Sequence, residues 1–325
     1  MNNRYIQPLR LTFAWGFLLF QLYLGIGFFR FVQYFRSGGT IHFVARADGI
    51  EGFLPISALL SLKGWYNSGA INNVHPAALV IFLSVISVSL FLRRSFCSWI
   101  CPVGTLSELL WKCGSWLFRR NVRLPRLLDN ALRCMKYMLL AFFLYSIFWA
   151  MDAAQIGAFI GSDYNKVADV RLLDFFQHLS VLPFVIILLI VLLSLPLRSP
   201  FCRFLCPYGA LLGLLALFSP IKVMRDKKAC KECGACTEVC PSYIPVMGKE
   251  RIISEECIGC WRCISHCRAL GALDMKLAGR KTAIDGLLFA FLVACLFWGG
   301  TMIGKATGHW HTAISLEEYA RLLGL

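Results

Sequence analysis

Two runs of cysteines decide the fold of the segment that contains them: residues 230–241 read CKECGACTEVCP, and residues 257–268 read CIGCWRCISHCR. Each run has the spacing C-x2-C-x2-C-x3-C. Three thiolates from one run and a fourth from the other are the usual ligands of a [4Fe-4S] cluster in two-cluster ferredoxins. The spacing therefore predicts two clusters. We expect one to be held by Cys230, Cys233, Cys236 and Cys267, and the other by Cys240, Cys257, Cys260 and Cys263.

The sequence around these runs has the features of a small ferredoxin-like domain. Zinc also binds C-x2-C pairs, but its sites need two such pairs rather than two runs of four cysteines, and disulfides are rare in a reducing cytoplasm. Gly234 and Gly259 permit tight turns, and residues 252–253 and 273–275 are predicted to be short strands. Residues 225–280 are thus expected to form an α+β domain with two clusters, whose ligation stabilises a segment too short for a large core.

The composition of the whole chain is that of a membrane protein. Hydrophobic residues make up 58% of the chain and charged residues 16%, which lies outside the range of soluble globular domains. Apolar stretches near the roughly 20 residues needed to cross a bilayer occur at residues 11–31, 76–92, 137–151, 181–197 and 284–303. We predict an all-α membrane bundle of about five transmembrane helices, in which residues 281–325 are the last helix and a short external tail.

The distribution of the net charge of +15 predicts the orientation of these helices. Residues 93–136 are rich in Lys and Arg, residues 152–174 carry mainly aspartate, and residues 198–228 are basic again. Because basic loops face the cytoplasm, we expect the N-terminus and the ferredoxin-like domain in the cytoplasm and the C-terminus outside a bacterial inner membrane. The basic residues lack a nucleic-acid-binding motif, so nucleic acid is not an expected partner.

The membrane part, residues 1–224, carries an internal repeat. An offset of 105 residues places Cys97, Cys101 and Pro102 onto Cys202, Cys206 and Pro207. Each copy has a span, an external loop, a second span, a C-x3-C-P motif and a short apolar helix. Cysteines four residues apart share a helix face, and the start of the next helix favours thiolate. The four cysteines are therefore candidates for a further metal centre or for paired dithiols, whereas a single C-x3-C would indicate only chance burial.

The remaining candidate residues belong to no motif. His75 and His178 precede the second and fourth spans at similar places, which suits a quinone pocket or haem ligation, although histidines at an interface are often only solvated. Cys113, Cys134 and Cys295 fit no spacing pattern, and we expect them to be small packing residues.

Two C-x3-C-P motifs after membrane spans, followed by two ferredoxin-type cysteine runs, resemble the NosR/NapH family of polyferredoxin-like membrane proteins. The resemblance covers about residues 76–277, and the segment CSWICPVGTLSE at residues 97–108 is close to the family motif. It implies electron transfer between the quinone pool or cytoplasmic donors and periplasmic redox partners, often in anaerobic respiration. The chain departs from NosR by lacking a flavin-binding domain and from NapH by its last span. That span resembles the arrangement in the related CcoG/FixG proteins, which are implicated in copper reduction for oxidase assembly. The extracellular immunoglobulin-like domain of those proteins is not found here.

Three functions are open from the sequence. The first is a membrane-bound iron-sulfur electron-transfer protein, or quinol-linked oxidoreductase subunit, that links cytoplasmic donors or the quinone pool to a quinol-linked cytochrome or periplasmic reductase. The second is a copper-binding and copper-reducing assembly factor for a terminal oxidase, since soft thiolates suit Cu(I). The third is a membrane redox sensor, for which no output domain is recognisable. All predicted ligands lie on one side of about 30 Å of hydrocarbon, so the sequence does not indicate how electrons would cross.

Overall fold

The computed structural model describes residues 5–269, 271–278 and 282–323. The chain is mostly helical. The helices are α1 (Ile6–Arg36), α2 (Pro55–Ser68), α3 (Pro76–Leu92), α4 (Phe96–Trp99), α5 (Pro102–Leu117), α6 (Arg126–Tyr145), α7 (Ala153–Gly161), α8 (Asp163–Lys166), α9 (Ala168–Gln177), α10 (Val181–Leu193), α11 (Pro207–Ala216), α12 (Ala235–Glu238), α13 (Arg262–Ser265), α14 (Gly286–Ala306) and α15 (Leu316–Leu323), and the strands are β1 (Ile221–Arg225) and β2 (Leu273–Leu277). The predicted boundary between residues 280 and 281 lies outside the described residues.

Among the described residues, three helices are long and apolar enough to cross a membrane: Ile6–Arg36, Arg126–Ala150 and Gly286–Ala306. Two more helices, α9 and α10, form a pair that bends by 80° and counts as a fourth candidate if it is one span. Helix α3 has 17 residues, or about 26 Å at a rise of about 1.5 Å per residue, slightly less than the hydrocarbon thickness of about 30 Å. The structure thus has three to four candidate spans by length. All five predicted stretches fall on helices, but the count of five stays a prediction.

The chain forms two compact units. The first comprises Met1–Leu18, Val85–Leu140 and Ile186–Phe297, and the second comprises Leu19–Ser84, Ala141–Val185 and Trp298–Leu325. Both C-x3-C-P motifs and both cysteine runs belong to the first unit. The second unit has a core of aromatic and aliphatic side chains that includes Phe28, Phe31, Phe35, Val170 and Tyr319.

A two-stranded antiparallel sheet holds the ends of the cysteine-rich segment together. Strand β1 pairs with β2 so that Val223 lies opposite Met275, and both side chains are buried. The strand predicted at residues 273–275 is confirmed as part of β2. The strand predicted at residues 252–253 is wrong, because the chain turns where the Cys257 N–H donates to the Ser254 carbonyl, which leaves only an isolated bridge at Arg251. The strand that pairs with β2 begins at residue 221, before the predicted domain start.

Candidate functional site

The four cysteines predicted to hold the second cluster line one pocket in the first unit. These are Cys240, Cys257, Cys260 and Cys263, and about 410 Å³ inside the pocket is free of protein atoms. The apolar side chains of Ile244, Trp261 and Met275 complete its wall. Gly259 has a φ of 58°, so the second run makes the tight turn that its glycine predicts. The structure therefore brings together the four sulfurs that the spacing assigns to one cluster.

The chemistry of this donor set fits a metal cluster. Burial and the neighbouring thiols of Cys260 and Cys257 raise the pKa of Cys240 to about 12. Burial also raises the pKa of Cys260 and of Cys263. Thiols in such surroundings ionise only when bound cations compensate their charge, as the irons of a [4Fe-4S] cluster do. The pocket is therefore compatible with thiolate ligands of a cluster.

The other predicted set of cysteines is more open to solvent. Cys233 is exposed, and Cys230, Cys236 and Cys267 are half-buried. Burial, with a smaller contribution from nearby Cys267, raises the pKa of Cys236, so the fourth cysteine of the second run lies close to the first run. A hydrogen bond from Arg225 lowers the pKa of Cys230. The first set contains the exposed Cys233 and the second contains the buried Cys240, and we call them the exposed set and the buried set.

Each C-x3-C-P motif ends where a helix begins, as predicted from its proline. Pro102 and Pro207 lie in the first turn of α5 and of α11, and the preceding cysteine is the N-cap. The Cys206 Sγ accepts a hydrogen bond of 3.2 Å from a backbone N–H of that turn. A Cβ on Gly104 would lie 2.0 Å from the Cys97 carbonyl oxygen, so the approach of α5 to its motif requires glycine.

The thiols of the two motifs lie within range of one another's charge. Burial and the nearby Cys97 raise the pKa of Cys101 to about 12. Burial and the other three motif cysteines raise the pKa of Cys202 well above its ordinary value. Burial raises the pKa of Cys206 as well. The structure therefore brings the two motifs together at one site.

A buried arginine connects these motifs to the ferredoxin-like segment. Arg94 Nε donates to Cys97 Sγ at 3.4 Å, and its Nη2 donates to the Cys202 carbonyl oxygen at 3.3 Å. Its Nη1 lies 3.6 Å from Glu256 Oε2, and this glutamate directly precedes the second cysteine run. Lys136 forms a further ion pair with Glu256. Arg94 thus contacts both C-x3-C-P motifs and the residue that introduces the second run.

The first C-x3-C-P motif is hydrogen-bonded directly to the loop of the second cysteine run. Ser98 Oγ donates to the Ile258 carbonyl at 2.6 Å, and Trp99 Nε1 donates to the Gly259 carbonyl at 3.2 Å. Both donors lie between the cysteines of the motif, and both acceptors lie between the first two cysteines of the run. Because Trp99 is fully buried, this contact excludes water. The motif and the loop are therefore one packed site.

Residues beside the second motif hold the first cysteine run in a similar way. Arg198 Nη1 donates to the carbonyl oxygens of Glu238 at 2.8 Å and of Cys240 at 3.1 Å. The guanidinium groups of Arg198 and Arg203 lie 4.9 and 5.0 Å from the centroid of the Tyr243 ring, within the range of a cation–π interaction. Each motif is thus joined to a loop that carries cysteines of the buried set.

The cysteines are not arranged around a single ion. Across residues 5–269, 271–278 and 282–323, no three His, Cys, Asp or Glu side chains are positioned to hold one metal ion. One ion bound by thiolates needs its sulfurs about 2.3 Å away, which brings them closer together than around the cube of a cluster. The donor sets on this part of the chain therefore remain compatible with clusters.

The two histidines predicted as a quinone or haem pair have different surroundings in the second unit. His178 is exposed. The His75 ring is fully buried, with Nδ1 3.2 Å from Glu51 Oε1 and Nε2 2.6 Å from the Asn165 carbonyl oxygen. Glu51 also accepts from Arg46 at 2.9 Å. Both ring nitrogens of His75 therefore already lie within hydrogen-bond distance of an oxygen of this chain, and neither is left for a haem or a quinone.

The cysteines outside the motifs do not pack in the interior. Cys113, Cys134 and Cys295 are all exposed. None of the three is covered by other residues of the described chain, and their expected role as small packing residues stays a prediction.

Sequence reasoning missed the buried charges around the cysteines, although local signals for them existed. Arg94 lies three residues before Cys97, Glu256 directly precedes the second run, and Arg262 lies inside that run. The basic residues were interpreted only as signals of membrane orientation. Charge directly beside predicted ligands would have indicated a role at the site.

Fold and site together define a class: an iron-sulfur protein with membrane-spanning helices and a two-cluster ferredoxin segment. The family description "4Fe-4S binding domain" matches residues 74–125 and 179–225, and "4Fe-4S dicluster domain" matches residues 222–268. The chain is 40% identical over 311 residues to the putative electron transport protein YccM of Escherichia coli, covering 94% of this chain and 87% of YccM.

More distant relatives include a ferredoxin-type protein. The chain is 28% identical over 225 residues to the ferredoxin-type protein NapH of Haemophilus influenzae, covering 66% of this chain and 71% of NapH. It is 32% identical over 222 residues to protein NirI of Paracoccus denitrificans, covering 66% of this chain and 31% of NirI. The chain therefore belongs to the NosR/NapH family of ferredoxin-type membrane electron-transfer proteins, as the resemblance implied. No solved structure matches it.

Proposed function

We propose that this protein exchanges electrons between a cytoplasmic donor or the quinone pool and a respiratory redox partner. A [4Fe-4S] cluster, when bound, takes up and releases single electrons at a potential set by nearby charges and hydrogen bonds. The observation that carries the proposal is the hydrogen bonding of Ser98 and Trp99 to the loop of the second cysteine run. These hydrogen bonds join the C-x3-C-P site directly to the loop of the buried cysteine pocket, and such close packing would favour electron exchange between centres held at the two sites.

The two cysteine sets have surroundings that suit two roles. We assign Cys230, Cys233, Cys236 and Cys267 to one [4Fe-4S] cluster, and Cys240, Cys257, Cys260 and Cys263 to the other. Since Cys233 is exposed, a soluble partner can approach the first set. The second set contacts the C-x3-C-P motifs through Arg198 and Trp99, so it is the set that communicates with the membrane part.

We also propose that Cys97, Cys101, Cys202 and Cys206 hold a further iron-sulfur centre. Two facts support this assignment: an iron-sulfur family description matches both segments, and the four thiols lie near one another. Arg94 would donate a hydrogen bond to a ligating sulfur of this centre. A positive charge and a hydrogen bond at a ligand favour the reduced form, so Arg94 is expected to raise the potential.

The proposed orientation follows from the basic residues. Residues 93–136 and 198–228 carry 15 of the 33 Lys and Arg residues, which supports a cytoplasmic location for both motifs and for the ferredoxin-like segment. We keep five spans in this arrangement, since bilayers adapt to helices as short as α3. The N-terminus is then cytoplasmic, the C-terminus is external, and the membrane is the inner membrane of a bacterium.

We prefer electron transfer to copper delivery because an iron-sulfur family description matches both motif segments and the relatives include an electron transport protein and a ferredoxin-type protein. Soft thiolates would also suit Cu(I), so a copper-reducing assembly factor is the second candidate.

The paired variants Cys97→Ser and Cys202→Ser, combined in one protein, test the proposal. Reconstituted in vesicles, the wild type should pass electrons from a quinol to an added acceptor, and the double variant should lose this flow without a change in copper binding. Cys113→Ser is a matched control, because Cys113 is exposed and lies outside the motifs. Lost copper binding with quinol-linked electron flow intact would instead identify an assembly factor.

A further inference from the structure

A second pocket of the first unit lies between α1 and α5, beside the first C-x3-C-P motif. About 360 Å³ of space inside its outline, which includes open solvent, is free of protein atoms. Its lining is Arg10, Leu11, Ala14 and Trp15 from α1 and Thr105, Glu108, Leu109 and Lys112 from α5. The pocket has a charged end and an apolar end.

The charged end is built around one carboxylate. Glu108 Oε1 lies 2.8 Å from Arg10 Nη2 and 2.8 Å from Lys112 Nζ, and it also pairs with Arg262. Three cations around one anion leave this end of the pocket positively charged. Arg10 is 1% exposed, and its Nε has no hydrogen-bond partner among the described residues. A buried donor without a partner is costly, and a hydrogen-bond acceptor on a ligand in the pocket would satisfy it.

The apolar end opens at the surface of a candidate membrane span. Trp15 is 36% and Leu109 is 40% exposed, and Leu11 and Ala14 line the wall beside them. Trp15 belongs to α1, the first candidate span. Exposed apolar side chains on such a helix face lipid, so the ligand that fits this mouth enters from the membrane.

Residues in or beside the pocket are hydrogen-bonded to the first C-x3-C-P motif and to the loop of the second cysteine run. Arg10 Nη1 donates to the Ser98 carbonyl at 2.8 Å, and Gln7 Nε2 donates to the Cys260 carbonyl at 2.8 Å. Arg262, which pairs with Glu108, lies within that run. A ligand in the pocket would therefore lie one side chain away from a loop that carries cysteines of the buried set.

Comparison of the two copies of the internal repeat shows whether helix packing requires the polar residues that line the pocket. The offset of 105 residues places Thr105, Glu108 and Lys112 onto Ala210, Gly213 and Leu217. The second copy thus forms its helix, α11, with small and apolar residues at the same positions. Polar residues at these positions of the first copy point to a ligand rather than to helix packing.

We propose that this pocket binds the head group of a membrane quinone, an inference that rests on the proposed electron-transfer function. Arg10 and Lys112 donate hydrogen bonds to the quinone oxygens, Glu108 is a positioning residue that holds both cations, and Trp15 and Leu109 contact the apolar tail. Oxidation of a bound quinol breaks its two O–H bonds. The two protons would pass to water, and two of the iron-sulfur centres that the cysteine sets would hold would accept one electron each.

Binding of a fluorescent hydroxyquinoline N-oxide, a quinol analogue, to the purified full chain in detergent tests this site. We expect Lys112→Met, Glu108→Gln and Leu109→Trp to weaken binding about tenfold or more, since the first two disturb a charged hydrogen bond and the third fills the mouth. Asp129→Asn is a matched control, because Asp129 also bridges two arginines, Arg133 and Arg203, but does not line the pocket. It should bind the analogue as the wild type does.

The outcomes separate this proposal from the function on which it rests. A wild type that contains reducible clusters but does not bind the analogue would overturn the quinone site and leave electron transfer intact. Equal affinity in the wild type and the three pocket variants, or an equal loss in Asp129→Asn, would also overturn it. Iron-free protein would contradict the proposed function, whereas the affinities of the variants would still decide the pocket.

Discussion

Replacing Arg94 with glutamine should destabilise the site at which the two C-x3-C-P motifs meet. The substitution removes hydrogen bonds to Cys97 Sγ and to the Cys202 carbonyl and the charge 3.6 Å from Glu256. Loss of one partner of a buried ion pair costs about 3–5 kcal/mol. Because Glu256 keeps Lys136 as a partner, we expect the lower end, about 3 kcal/mol. At about 2–4 °C per kcal/mol, the midpoint of thermal unfolding should fall by about 6–12 °C.

The neighbouring Arg93 provides a matched control for this prediction. Arg93 is equally buried, but its guanidinium donates to the carbonyls of Ile252 at 3.0 Å and Ser254 at 2.8 Å rather than to a motif cysteine. Arg93→Gln should therefore destabilise the protein without altering the centre proposed at the motifs.

Anaerobic thermal melts followed by visible absorption would measure stability, and EPR at controlled potential would measure the centres. We expect Arg94→Gln to lower the potential of one centre or to abolish its signal, and Arg93→Gln to leave all potentials unchanged. Unfolding midpoints and potentials of Arg94→Gln equal to those of the wild type would refute the reasoning. Identical spectral changes in both variants would also refute it.

Three further changes test other parts of the structure. Cys240→Ser should remove the signal of the buried cluster and spare that of the exposed one in EPR spectra of the reduced protein; simultaneous loss of both would argue against two separate sets. His75→Gln tests the buried ion pair with Glu51. Burial lowers the pKa of His75, but the hydrogen bond and charge of Glu51 outweigh burial and raise it. The ion pair therefore stabilises the protein fully below the unfolded pKa of His75, about 6.5, and this stabilisation is lost as the pH rises through the folded pKa. The difference in melting temperature between wild type and His75→Gln should accordingly shrink from pH 6 toward pH 9, roughly the range above that unfolded pKa, and a constant difference would contradict it. Lys63→Met should cost about 1.5–3 kcal/mol in thermal melts, because Lys63 Nζ donates to three backbone carbonyls that follow α6, and an unchanged melting temperature would count against that role.

Local sequence patterns predicted the features of this protein that depend on neighbouring residues. The cysteine spacing predicted which four sulfurs meet, and the structure lines one pocket with Cys240, Cys257, Cys260 and Cys263. The prolines at 102 and 207 predicted where helices begin, and apolar runs predicted the candidate spans. Each of these signals lies within a few residues along the chain, so no long-range contact is needed to interpret it.

Features that depend on distant residues could not be predicted in this way. The strand at Ile221–Arg225 forms because it pairs with residues 273–277, and the sequence between them does not reveal that pairing. His75 suggested a ligand site by its position, yet Glu51 and Asn165 occupy both ring nitrogens. Glu108 could be recognised as part of a pocket only when Arg10, 98 positions away in sequence, was found beside it.

Iron analysis of anaerobically purified protein, combined with EPR spin counting after reduction, measures how many clusters the chain holds. We expect about twelve irons per chain, four for each of three centres, and about eight in the variant that combines Cys97→Ser and Cys202→Ser. About eight irons in the wild type would remove the centre at the C-x3-C-P motifs and leave two clusters. Wild-type protein without iron-sulfur signals would show that this chain is not an iron-sulfur electron carrier.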